Sequence, residues 1–200
     1  MITLFGATGY TGRLIAHQLA SLSLPAGSIR LAGRSLEKLK QLASELPYKT
    51  EINTADATIP STLPALFKNT RVLINCAGPF TDLGEPVVAL AAIHGAHYLD
   101  TTNELGFVHR MQSYHQLAVS NQAAIVPACG FEIAFADCAA ALLAEQLGSQ
   151  LDAIDVIYAL SGGNSSRGTR LSAIRSLGTS WLAYRGGDWV SAVPCSSTRT

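Results

Sequence analysis

Short runs of consecutive apolar residues alternate along this chain with longer stretches in which apolar positions return every third or fourth residue. The first pattern predicts strands and the second helices. Residues 1–5 form the first apolar run, and Leu14, Ile15, Leu19 and Leu22 then line one face of a helix over residues 10–22. Residues 28–32 predict a second strand, and Ser35 stands where an N-cap precedes the helix LEKLKQLASEL. A third strand over residues 51–54 leads to a short helix around residues 61–67, and RVLINCAG is a buried fourth strand. Residues 84–94 form the next helix, stopped by Gly95, and HYLDTTNE is the fifth strand with its exit loop. Residues 105–121 predict a helix, AAIVPACG a sixth strand, and FADCAAALLAEQL a helix closed by Gly148. Continuous apolar runs suit strands buried on both faces. Their alternation with helices predicts right-handed crossovers and an α/β fold, a Rossmann-type doubly wound parallel sheet.

The alternation breaks near residue 150. AIDVIYAL predicts one more strand, but SGGNSSRGTR is long, polar and glycine-rich and is read as a linker or lid. LSAIRSLGTSWLAY predicts a helix, and GGD a hairpin-like turn. We therefore expect a nucleotide-binding Rossmann domain over residues 1–150 and the beginning of a second domain over residues 151–200.

Hydrophobic residues make up 48% of the chain and charged residues 14%, against roughly 25% charged in an average soluble protein. So low a charge density predicts extensive burial, within the chain or against a partner, and favours a homo-oligomer. Lys plus Arg and Asp plus Glu each number 14 and cancel, which leaves no net field to gather nucleic acid or an anionic membrane. The four cysteines, Cys76, Cys129, Cys138 and Cys195, form no CxxC pair and no dense cluster with histidine. Reduced thiols, a cytoplasmic setting and no metal site are expected. The opening apolar run ends at Gly6 without the flanks of a signal peptide. The longest apolar stretches fall short of the roughly 20 residues that span a bilayer.

FGATGYTGR places Gly6, Gly9 and Gly12 between the first strand and the first helix. Glycines at such a turn let backbone N–H groups approach a phosphate at the helix N-terminus. The GxxGxxG spacing differs from the commoner GxGxxG, so tight turn, pyrophosphate approach and helix packing are not assigned to the three one by one. Thr8 and Thr11 add hydroxyls, and Tyr10 completes the binding turn. The second strand ends in LAGRS, with Arg34 about twenty residues after Gly12, where NAD-selective proteins carry an acidic residue. A guanidinium there pairs with a 2′-phosphate. Arg34, with Ser35 as a further donor, thus predicts NADP(H), bound as NADPH, over NAD(H). Asp56 reads equally as an adenine-rim contact or a loop cap. In NCAGPF, Ala77, Gly78 and Pro79 form the opposite lip of the cleft, while Asn75 and Cys76 finish the strand.

Asp100, Asn103 and Glu104 leave the fifth strand, and Cys129, Phe131 and Glu132 leave the sixth, on the side where ligands bind in open α/β sheets. Asn103, Glu104 and Glu132 are the candidate catalytic residues, suited to polarise a carbonyl or imine or to carry a proton beside hydride transfer. Capping of turns is the plainer role for Asp100, Asn103 and Glu104. Nothing in sequence pairs Cys129 with a base, which argues against a thiol nucleophile. His94 and His97 lack further ligands for a metal. No YxxxK pair occurs where a short-chain dehydrogenase would need it, since Tyr114 is followed by HQLAV.

Together, GATGYTGR, LAGRS, NCAGPF, GEPVVALAAIHGAHYLDTTNE and PACGFEIAFADCAA resemble the saccharopine dehydrogenase-like NADP-binding oxidoreductases, which include the trans-acting enoyl reductases of lipid biosynthesis. The resemblance covers most of residues 1–160. It implies an NADP(H)-dependent enzyme that transfers hydride to or from a small amino-acid-derived or acyl/enoyl substrate. Family members are generally longer, with a second α+β domain carrying much of the substrate site and the dimer contact. On that pattern residues 151–200 begin such a domain and leave it incomplete. The alternative is a non-enzymatic protein that senses nicotinamide nucleotides, because a fold does not fix a function.

Overall fold

A computed structural model describes residues 1–148, 154–159, 170, 174, 181–185 and 188–192. Its centre is a six-stranded sheet in the order β3-β2-β1-β4-β5-β6, in which every neighbouring pair is parallel. The strands are β1 (Ile2–Phe5), β2 (Ile29–Gly33), β3 (Glu51–Thr54), β4 (Val72–Asn75), β5 (His97–Asp100) and β6 (Ile125–Val126). Between them run α1 (Tyr10–Ala20), α2 (Leu36–Glu45), a 3-10 helix (Pro60–Phe67), α3 (Phe80–Leu83), α4 (Glu85–His94), α5 (Leu105–Met111) and α6 (His115–Ser120). After β6 come α7 (Phe131–Leu147) and a separate antiparallel hairpin of β7 (Trp181–Arg185) and β8 (Asp188–Ala192).

Alternating side chains of the central strands feed two cores, one on each face of the sheet. Leu4, Ile29 and Leu31 meet Ala16 and Leu19 of α1 and Leu39 and Leu42 of α2. Phe5 and Leu73 meet Leu63 and Leu66 of the 3-10 helix, Val87 and Val88 of α4, and Phe107 of α5. Burying each such leucine contributes roughly 1.5–3 kcal/mol, so these cores fix where the strand ends project.

Several expectations shift for local reasons. The helix expected over residues 105–121 breaks into α5, a 3-10 turn at Gln112–Tyr114 and α6, where Ser113 Oγ donates to the Arg110 carbonyl and competes with the backbone ladder. The segment Pro60–Phe67 is 3-10 rather than α, with Pro64 inside it removing a backbone donor. Pro127 follows β6 directly and limits it to two residues. Residues 154–159 form no strand: Ile157 is 88% exposed, and Tyr158 donates to the Glu132 carbonyl and packs edge-on against Phe131. The helix expected through WLAY gives way to β7, paired with β8 from Trp181↔Ala192 to Arg185↔Asp188. That register brackets the expected GGD turn, whose two glycines lie outside the described residues. So do Cys195 and, apart from Arg170, the whole of SGGNSSRGTR. Gly148 caps α7 as expected, its N–H donating to the Ala144 carbonyl.

Candidate functional site: the cleft between β1 and β4

Strand order reverses between β1 and β4, and in open parallel sheets ligands bind outside the carboxyl ends of strands at such a point. Here the exit of β1 is the glycine turn. Gly6 has φ +76°, and a Cβ on it would lie 2.7 Å from Ala77 N and Cys76 C. The positive φ and this approach to the β4 exit both require glycine. A Cβ on Gly12 would stand 2.3 Å from the Gly6 carbonyl oxygen, so Gly12 lets α1 rest directly on the turn. Gly9 is different: it is exposed, has φ −73°, and a Cβ there would meet only Gly6 O at 3.3 Å. It is the N-cap of α1, with no side-chain cap and no acidic residue in the first turn. The N–H groups of Tyr10, Thr11 and Gly12 therefore open the helix without intrahelical acceptors. An anion is the natural complement to such a terminus.

At the exit of β2, Arg34 is exposed and makes no hydrogen bond among the described residues. Asp56, at the exit of β3, accepts from Thr58 N at 2.9 Å and Thr58 Oγ1 at 2.8 Å. Those hydrogen bonds, with the Arg34 charge as a smaller contribution, hold its carboxyl below the usual carboxylate range. Ser35 caps α2 as expected, accepting from Lys38 N at 3.4 Å, and its hydroxyl donates to Glu37 Oε2 at 3.1 Å. The loop-cap role of Asp56 and the helix-cap role of Ser35 are thus both realised.

The β4 exit forms the facing lip. Ala77 N donates to Asn75 Oδ1 at 2.9 Å, the Gly78–Pro79 peptide is cis, and Pro79 precedes α3. Glu104 reaches across from the β5 exit: its carboxylate accepts from Phe80 N at 3.1 Å and Thr81 N at 2.7 Å. Glu104 therefore ties the start of α3 to β5. Asn103 beside it is exposed. Glu132 lies in the first turn of α7, half-buried, with Gly130 as the N-cap.

Beneath these exits runs a chain of buried polar groups. Asp100, Tyr98 and Asn75 are each fully buried. Burial pushes the Asp100 carboxyl up, against the pull of hydrogen bonds from Ala128 N, Thr102 N and the Tyr98 hydroxyl. Burial, with Asp100 adding to it, pushes the Cys76 thiol up to about 12, and it moves the Cys129 thiol in the same direction. A raised thiol pKa lowers the thiolate fraction at neutral pH. Among the described residues no group of three or more metal-ligating side chains occurs.

At the strand exits Gly6 stands against Ala77, Gly12 packs on Gly6, Arg34 and Asp56 lie at the ends of β2 and β3, and Glu104 is tied to the start of α3. Thr8, Tyr10 and Thr11 lie at the rim, and Tyr10 is 67% exposed. Sequence reasoning missed the Asn75–Tyr98–Asp100 chain. Its sequence signal was limited to two polar residues, Asn75 and Asp100, each last in its strand; their pairing in register is visible only in the structure.

The sequence profile of the saccharopine dehydrogenase NADP binding domain matches residues 2–126. A provisionally named trans-acting enoyl reductase of Mycobacterium tuberculosis is 36% identical over 187 residues, covering 89% of this chain and 44% of its own length. The trans-acting enoyl reductase of Mycobacterium leprae is 40% identical over 135 residues, or 66% of this chain and 32% of its own. The chain thus spans less than half the length of the curated relatives it matches. Apo saccharopine dehydrogenase (L-Glu forming) of Saccharomyces cerevisiae shares the fold, with TM-score 0.60 over 74% of this chain and 31% of the yeast chain at 16% identity. No helix among the described residues is long and apolar enough to cross a membrane. With a profile that matches more than half its length, this chain belongs to the saccharopine dehydrogenase NADP-binding-domain family of oxidoreductases.

Proposed function

We propose that this chain is the cofactor-binding part of an NADPH-dependent oxidoreductase that reduces a small amino-acid-derived or acyl/enoyl substrate. The observation that carries the reading is the uncapped, acid-free N-terminus of α1 above Gly9, with Arg34 as the unbonded cation at the end of β2. The α1 N–H groups hold the pyrophosphate, Arg34 the 2′-phosphate, and Ala77, Gly78 and Pro79 line the opposite side of the cofactor. Bound NADPH supplies the hydride. Glu132 handles the proton that accompanies it, and Asn103 orients the substrate's polar group at the β5 exit. Glu104 acts by holding the β4 lip, since both its oxygens already accept backbone N–H groups. The enoyl reductase names of the relatives support an unsaturated acyl group as the first substrate class to test.

Binding and turnover are expected to separate, because a few strand-exit residues do not exclude water around a reacting carbon. The chain binds NADPH in a calorimetric titration but oxidises it slowly against a panel of imine, keto and enoyl acceptors. Glu132→Gln is expected to lower what turnover there is by about a hundredfold, the low side of general acid–base effects, with NADPH affinity unchanged. Failure to bind NADPH removes the reading. Binding without oxidation, by this chain and by any longer form, transfers it to a nucleotide sensor.

We further propose that residues 1–150 are the cofactor domain, that residues 151–200 begin a substrate and dimerisation domain, and that the protein is a cytoplasmic homo-oligomer. Helix α7 supports the association: none of its residues is buried, and Phe131, Phe135, Leu142, Leu143 and Leu147 are exposed. An apolar face of that kind drives self-association. Sedimentation is expected to give dimers or larger species at micromolar concentration, shifted towards monomer by Phe135→Lys. A monomer unaffected by that change would refute the role of α7.

A further inference from the structure

Asp100 closes β5 in register with Asn75 of β4, and all of its acceptors are in use. Its Oδ1 accepts from Thr102 N at 3.0 Å and Ala128 N at 2.9 Å, and its Oδ2 from the Tyr98 hydroxyl at 2.8 Å. Its carbonyl oxygen accepts from Cys129 N at 2.7 Å. The Tyr98 oxygen then accepts from Asn75 Nδ2 at 3.1 Å, and Asn75 Oδ1 accepts from Ala77 N at 2.9 Å. One carboxylate is thereby wired to the exits of β4 and β6.

We propose that Asp100 is a positioning residue, which sets the direction of this hydrogen-bond chain and so holds the β4 and β6 exit loops open around the nicotinamide-bearing end of NADPH. The inference rests on the functional reading above and adds a residue to it. A carboxylate only accepts, so the Tyr98 hydroxyl must donate to it. That leaves the Tyr98 oxygen as an acceptor, which turns the Asn75 NH2 towards it and the Asn75 oxygen towards Ala77 N. Every orientation follows from the one before, and the last fixes the residue that packs over Gly6. The other arm holds Ala128 at φ +60°, a left-handed conformation a non-glycine residue keeps only where its surroundings impose it. Buried chains of this kind are strongly favourable when complete and costly when one member is mismatched.

Direction, rather than charge or bulk, is what the test isolates. Asp100→Asn keeps an oxygen for Thr102 N and Ala128 N but turns a donor towards Tyr98. The hydroxyl must then reverse, and it meets the NH2 of Asn75. Combining it with Asn75→Asp restores every bond: the amide at position 100 donates to Tyr98, whose hydroxyl donates to the carboxylate at position 75, which still accepts from Ala77 N. Binding of NADPH and of adenosine 2′,5′-bisphosphate, which lacks the nicotinamide, is measured on the 200-residue chain below its unfolding temperature. In D100N, NADPH is expected to weaken at least tenfold while the bisphosphate stays within about threefold, and the double variant recovers NADPH binding. Unchanged NADPH binding in D100N, equal weakening of both ligands, or a folded double variant that binds no better than D100N would overturn the assignment. If D100N does not fold, the double variant decides alone: wild-type-like binding supports the assignment, and an unfolded or weakly binding protein overturns it. Wild-type protein that binds neither ligand would overturn the functional reading itself, and this inference with it.

Discussion

Gly12→Ala is expected to destabilise the protein by about 3 kcal/mol, at the upper end of the cost of overpacking a filled site. A methyl at this position would stand 2.3 Å from the Gly6 carbonyl oxygen and 2.8 Å from Ala7 Cα. Both obstacles are backbone, so no rotamer change relieves them, and α1 must lift from the turn that seats it. For a chain of this size the loss corresponds to a fall in Tm of roughly 6–12 °C. Gly9→Ala is the control. Its methyl meets only Gly6 O at 3.3 Å, and its φ of −73° suits any residue. Tm should therefore move by no more than a few degrees, while NADPH binding weakens at least about tenfold because the methyl intrudes where pyrophosphate oxygens approach α1. Calorimetry without ligand, followed by titration with NADPH, checks both halves. If Gly12→Ala kept the wild-type Tm, or Gly9→Ala the wild-type affinity, the division between packing glycines and a binding glycine would fail.

That division was not legible in the sequence. The motif announced a nucleotide turn, but GxxGxxG spacing assigns no roles, because which glycine is crowded depends on where β4 ends. Only the pairing of Phe5 with Asn75 brings Cys76 and Ala77 over Gly6. The parallel sheet was legible because strands buried on both faces carry apolar runs, as VLI does in β4. The region after Gly148 was less so, since apolar content predicts a strand only where an edge is available to pair with it. AIDVIYAL found none over residues 154–159, while WLAYR found one in DWVSA. Within the site, Arg34 could be placed by counting from the glycines. That Glu104's carboxylate accepts from Phe80 N and Thr81 N could not be read from sequence, because those residues stand more than twenty positions away.

Arg34→Ala is expected to abolish the preference for NADPH over NADH while leaving the fold intact. Arg34 is exposed, forms no hydrogen bond among the described residues and adds only the smallest contribution to lowering the Asp56 carboxyl, so its removal takes little from stability. Charge-assisted hydrogen bonds contribute roughly 1.5–3 kcal/mol, equivalent to about a 10–100-fold loss of NADPH affinity, with NADH affinity unchanged. Ser35 does not compensate, because its hydroxyl already donates to Glu37. Asp56, whose carboxyl is lowered mainly by its Thr58 hydrogen bonds and least by the Arg34 charge, would oppose a phosphate at the proposed position. The pH profile gives an independent check. A phosphate monoester takes its second negative charge near pH 6, and the guanidinium stays charged throughout. The wild-type preference for NADPH should therefore rise between about pH 5 and pH 7, one unit either side of that transition, and Arg34→Ala should flatten it. Parallel titrations of both nucleotides across that range would reject the assignment if the preference survived the substitution or ignored pH in the wild type.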